Sequence, residues 1–184
     1  MKTGKILKRK KVFEGSIFDV WDFEVEVDGK KIKRQMLDES NGIVVVPVDE
    51  EGNVWLIEEY FIGPNKKMLG LVGGKTLAEN DEEIEAEAQR ELQEEIGMRA
   101  KRMVKVNKSY VEPWKSNRVG SLFLALGLEP SKLKGDEDEI LEVVKMSLDE
   151  AIEKAKKDFT IACHEVGFLM MAKEKLEELN RKEG

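Results

Sequence analysis

The stretch RELQEEIGM, residues 90 to 98, sets Glu91, Glu94 and Glu95 at i, i+3 and i+4, where helical side chains share one face. Like charges at that spacing cost a helix roughly 0.2–0.5 kcal/mol per pair unless a positive group sits among them. A divalent cation supplies that charge. Mg²⁺ suits a short carboxylate cluster, because it keeps several waters and takes substrate phosphates as further ligands. With 38 Asp plus Glu in 184 residues, a run of acids can also be a solvated helix face. The neighbours decide between the two. Glu82 lies eight residues before Arg90, Arg90 abuts Glu91, Leu92 and Ile96 form an apolar stripe, and Gly97 stands where a helix-ending glycine belongs.

Glutamate, seven residues, Arg-Glu, an aliphatic, any residue, Glu-Glu, any residue, glycine and an aliphatic follow here in order. This series resembles the signature of the Nudix hydrolases. The resemblance implies an α/β/α sandwich around a mixed sheet and a diphosphate-cleaving activity that uses Mg²⁺ or Mn²⁺. It implies Glu91 and Glu95 as principal metal ligands, with Glu94 serving a further ion or proton transfer and the main-chain carbonyl of Gly73 completing the set. Arg90 and Glu82 would hold loop and helix together as an ion pair, Arg90 being partly buried. The glycine that usually precedes the first glutamate by six residues is Thr76 here; Gly73 and Gly74 are the nearest. A two-residue insertion explains this, since loop closure costs grow only logarithmically with length.

The rest of the chain resembles the branch of that family that cleaves ADP-ribose and other ADP compounds. Pro113 stands fifteen residues past Met98, and FEGSIFDVW, LIEEY and VGSLFLALGLEP have the look of that branch. A nucleoside diphosphate sugar or related ADP compound, cleaved to AMP and a sugar phosphate, is the implied substrate, with Glu112, Pro113 and Trp114 on the substrate side. Three departures stand out. Ser116-Asn117-Arg118 replaces a stretch that usually carries a catalytic glutamate, and asparagine cannot accept the proton. The glutamate and proline of the segment before the glycines are absent from KMLGLVGGK, and Phe61 replaces an arginine. The base would then be Glu94, Glu112 or a carboxylate of the acidic segment GDEDE, where Glu139 is the preferred residue; Glu94 ranks first because it is already at the metal. GDP-mannose, NADH and dinucleoside polyphosphates are rival substrates, and a nucleotide-sensing module without catalysis is the rival from another class.

The elements that must position these residues are legible in outline. Residues 17–27 and 31–37 read as strands joined at Asp28-Gly29, a favoured hairpin turn. Residues 43–48 and 54–60 form a second hairpin before the glycines. Residues 100–110, 119–128 and 140–147 read as further strands, Asp149 as the cap of a short helix, and Thr160 as the start of a longer one ending near Arg181. The organisation expected is an N-terminal antiparallel unit over 1–40 and a hydrolase domain over 41–184. The family resemblance makes the N-terminal unit a dimerisation element, and a two-stranded ribbon is only marginally stable alone.

Composition excludes several classes. A net charge of −7 and a pI near 5.1 argue against a nucleic-acid surface. No apolar run is long enough to span a bilayer, and the opening MKTGKILKRKK lacks the apolar core of a signal peptide, so a cytoplasmic protein is expected. The single histidine, His164, rules out a His-based metal site or triad within one chain.

Overall fold

The computed structural model describes residues 4–135, 141–157 and 161–183. Contacts divide the chain into two units, 1–42 with 109–120 and 43–108 with 121–184.

In the first unit, β1 (Lys5–Phe13), β2 (Phe18–Val27) and β3 (Lys30–Glu39) form an antiparallel sheet in the order β1-β2-β3. The β2–β3 turn carries φ of 49° at Asp28 and 76° at Gly29, which the right-handed twist of a two-residue hairpin requires. Strand β1 was not expected from its own sequence, KILKRKKVF. Its reason lies across the ladder, where Lys5, Lys8 and Lys10 face Glu26, Glu24 and Asp22 of β2.

The second unit is built on a seven-stranded sheet. β4 (Asn41–Val48), β5 (Asn53–Phe61), β8 (Met98–Tyr110), β9 (Val119–Pro130) and β10 (Glu142–Ser147) run in the order β10-β5-β4-β9-β8. Two short strands that the glycines had hidden join it: β6 (Lys66–Gly70) pairs with β5, and β7 (Val72–Thr76) pairs with β4. Strict alternation sends side chains to both faces. Ile43, Val45, Phe123 and Ala125 pack with Ile84, Ala88, Leu92 and Ile96 of α1 (Asp81–Glu95) and its end, on one side. Val46, Val48, Leu122 and Leu124 pack with Ala151 and Ile152 of α2 (Leu148–Lys157) and Leu169 and Ala172 of α3 (Cys163–Glu183), on the other. The sheet is therefore covered on both faces, which is why β4 reads as an unbroken apolar run.

Two helix starts differ from expectation. Ser147, not Asp149, caps α2: its Oγ accepts the Glu150 N–H at 3.1 Å, while Asp149 pairs with Lys173. Thr160 lies outside the described residues, and α3 begins at Cys163. At α1, Asn80 accepts the Glu83 N–H at 2.9 Å and Asp81, Glu82 and Glu83 fill the first turn, where the helix dipole favours acids.

Candidate active site

The candidate site forms where α1 meets β7. Leu92 and Ile96 turn into the core, which leaves Glu91 and Glu95 on the flank facing the glycine strand. Glu95 is 8% exposed, and its Oε2 accepts the main-chain N–H of Gly73 at 3.3 Å. Glu91 lies against Gly74 so closely that a Cβ there would come within 2.5 Å of its Oε1. At Gly73 a Cβ would collide with the carbonyl oxygen of Ile43. The consecutive glycines thus admit two close approaches at once, β4 backbone to one and the Glu91 carboxylate to the other.

Arg90 is 46% exposed at its side chain and forms ion pairs with Glu91 and Glu94. This corrects the expected pairing with Glu82 and the partly buried placement. Eight helical residues separate Glu82 from Arg90 by about 12 Å along the axis, and Glu82 is an exposed first-turn residue. It also corrects the picture of three converging carboxylates. Among the described residues no three His, Cys, Asp or Glu side chains cluster tightly enough to hold a metal by themselves. The positive charge beside Glu91 and Glu94 is the Arg90 guanidinium, while Glu95 is turned to the Gly73 amide.

The donor chemistry nonetheless fits a divalent ion. Two carboxylates four residues apart, Glu91 and Glu95, and main-chain oxygen from the adjoining glycine strand are hard ligands that leave positions for water and phosphate, as Mg²⁺ prefers.

Gly97, with φ of 71°, ends α1 as a left-handed cap. The chain after β9 then seals that end: Ser131 N–H donates to Gly97 O at 2.9 Å, Leu133 N–H to Gln93 O at 3.2 Å, and Lys132 Nζ to Glu94 O. Helix carbonyls that would lack partners are satisfied this way. Glu139, farther along the same segment, lies outside the described residues. Sequence reasoning missed the docking of 131–133, which depends on contacts 38 residues apart.

In the first unit, Glu112 O accepts the N–H groups of Lys115 and Ser116, closing a turn that carries Pro113 and leaves Trp114 71% exposed. The Glu112 carboxylate pairs with Lys115. Asn117 accepts the Glu39 N–H at 3.2 Å and donates to Asp38 Oδ1 at 2.7 Å.

The NUDIX domain family matches residues 39–163. The chain belongs to the Nudix family. An ADP-ribose pyrophosphatase of Bacillus subtilis (strain 168) is 30% identical to this Nudix chain over 151 residues, 80% of each protein. The methanol dehydrogenase activator of Bacillus methanolicus is 26% identical over 156 residues, 83% of each. A crystal structure of an ADP compounds hydrolase superposes with a TM-score of 0.85 over 98% of both chains at 24% identity, so the Nudix fold, a mixed sheet with helices, is shared. The Nudix helix of this enzyme is α1, and its glycine strand is β7.

Proposed function

We propose that this enzyme hydrolyses the diphosphate bond of ADP-ribose or a related nucleoside diphosphate compound, giving AMP and a sugar phosphate, with Mg²⁺ or Mn²⁺ as cofactor. The juxtaposition of Glu91 and Glu95 with Gly74 and Gly73 is the observation that carries this reading, since it brings two carboxylates of one helix against the main chain of the glycine strand. The similarity to an ADP-ribose pyrophosphatase supports the ADP half of the substrate.

Glu91, Glu95 and the Gly73 carbonyl would hold the ion, which supplies charge neutralisation on the phosphoryl oxygens and a more acidic water. Glu95 is held in place by the Gly73 amide before any substrate arrives. Arg90 keeps Glu91 and Glu94 compensated in the free enzyme and is the group that must give way when a cation enters. Glu94 is the first choice for the base, Glu139 the loop alternative; Asn117 is already engaged with Asp38 and Glu39. Glu112, Pro113 and Trp114 are assigned to the substrate on the strength of Trp114's exposed ring. Gly97 and Glu82 serve the helix ends.

A homodimer built through residues 1–40 and a cytoplasmic location complete the proposal. No described helix is long and apolar enough to cross a membrane. A nucleotide-sensing module is the second reading, favoured by the structural use of Asn117.

The test is monophosphate release from ADP-ribose, GDP-mannose, NADH and diadenosine polyphosphates in Mg²⁺, with parent and Glu95→Gln proteins. Turnover of an ADP compound that disappears in the variant supports hydrolysis. No turnover of any substrate, with equal nucleotide binding by both proteins, makes the chain a sensor.

A further inference from the structure

Leu71 stands where the chain changes partners. Gly70 is the last residue of β6, opposite Ile57 of β5, and Val72 is the first of β7, which pairs with β4. Leu71 falls between the two ladders and is 7% exposed, so its N–H needs an acceptor from elsewhere. Glu165 of α3 provides one from 94 residues along the chain, its Oε1 accepting that N–H at 3.3 Å. The carboxyl packs beside Gly70, where a Cβ would lie at ordinary van der Waals distance, 3.7 Å from Glu165 Oε1. The helix start is fixed too, by Glu165 N–H to Ala162 O at 3.0 Å and by a bridge between Ile161 and Leu69. Glu165 Oε2 is buried with no hydrogen-bond partner among the described residues.

An acid in such a place costs more than an apolar side chain would, unless the Leu71 contact matters. We propose that Glu165 is a positioning residue for the metal site: by capturing the Leu71 N–H it fixes the crossing from β5 to β4, and so the register that sets Gly73 on Glu95 and Gly74 on Glu91. The inference rests on the assignment of Glu91, Glu95 and Gly73 as metal donors. Burial pushes the carboxyl up to about 7, with the Glu59 carboxylate adding to the rise, so near neutrality much of it is uncharged and able to remain inside. Gly73 follows Leu71 by two residues, so a shift of the crossing by a fraction of an ångström is passed directly to the Gly73 amide and carbonyl.

The experiment compares Mn²⁺ binding, by the EPR signal of free Mn²⁺, in the parent, Glu165→Gln and Glu165→Leu proteins, with thermal unfolding and amide exchange on each. Glutamine keeps an acceptor for Leu71 and leucine does not. The expected result is Mn²⁺ affinity within twofold of the parent for glutamine, a fivefold or greater loss for leucine at unchanged Tm, and at least tenfold faster exchange of the Leu71 and Gly73 amides in the leucine protein alone. Equal Mn²⁺ affinity in all three overturns the proposal. If the parent binds no Mn²⁺, the metal assignment fails, and unchanged exchange at Leu71 and Gly73 then overturns the positioning role separately. Should the leucine protein not fold, Glu165→Met, unbranched and close in length, is read by the same criteria.

Discussion

Gly73 donates its main-chain N–H to Glu95 across 22 residues of chain, so one hydrogen bond ties the glycine strand to the last turn of α1. If Glu95 holds the ion as proposed, its carboxylate is aimed before substrate binds, and its position costs nothing at the moment of reaction. A carboxylate has about four lone-pair sites, of which the Gly73 amide takes one, and the proposed cation would draw on others.

Glu95→Gln keeps the shape and the capacity to accept from Gly73 while removing the charge. The expected outcome is a fall in kcat of about 10²-fold or more, the size seen when one preorganised charge-stabilising group is lost, with a urea midpoint close to the parent's. Steady-state kinetics on the best ADP compound, paired with equilibrium unfolding, checks it. A variant that retains a third of the rate would remove Glu95 from the chemistry.

The two glycines should fail differently. Gly73→Ala drives a Cβ into the Ile43 carbonyl and should cost about 1–3 kcal/mol of stability by overpacking. Gly74→Ala meets the movable end of Glu91 instead, at 2.5 Å from Oε1. It should fold with nearly parental stability and bind Mn²⁺ about tenfold more weakly, as when a group next to a ligand is disturbed. Calorimetric unfolding and Mn²⁺ titration of both proteins separate the two effects; equal behaviour would mean that the Glu91 carboxylate does not need its place beside Gly74.

Much of this was legible in advance, for a physical reason. The α1 signature is local: apolar spacing at Ile84, Ala88 and Leu92, acids on the flank and Gly97 at the end are all set by helical period. The continuous apolar run of β4 likewise marks a strand buried on both faces. What escaped was decided by partners. Strand β1 looks like a basic tail until the acids of β2 are set opposite it. Strand β7 looks like a loop because its glycines are shaped by Ile43 and Glu91. Arg90 and Glu82 look like partners in the sequence, but eight helical residues put them about 12 Å apart along the axis, and Arg90 pairs with Glu91 and Glu94 instead. Asn117 was seen as a missing base, whereas its bonds to Asp38 and Glu39 show what it does instead.

Asn117→Ala removes both of those bonds. It should cost about 1–2 kcal/mol and speed amide exchange at Glu39, with kcat within about threefold of the parent, because an amide already spent on β3 is not the proton acceptor. Urea unfolding and initial rates measure the two quantities. A hundredfold loss of rate in a protein of parental stability would bring Asn117 into the reaction and reverse this reading.

Glu165 makes the chain's stability depend on pH with a definite sign. Burial raises its carboxyl from 4.5 to about 7 in the folded state, so the folded protein holds a proton that the unfolded chain releases. The stabilisation is complete below about pH 4.5, declines as pH rises, and is gone above pH 7 or so, where the buried group must ionise. Its full size is at most about 3 kcal/mol. Glu165→Gln cannot ionise. Between pH 5 and 8 the parent should therefore lose about 2 kcal/mol relative to Glu165→Gln, while His164, common to both proteins, cancels in the difference. Urea unfolding of the pair at half-unit pH steps gives this curve directly. A flat difference would mean that Glu165 is charged inside the fold throughout, and one rising in the parent's favour would require a cation at Glu165 Oε2.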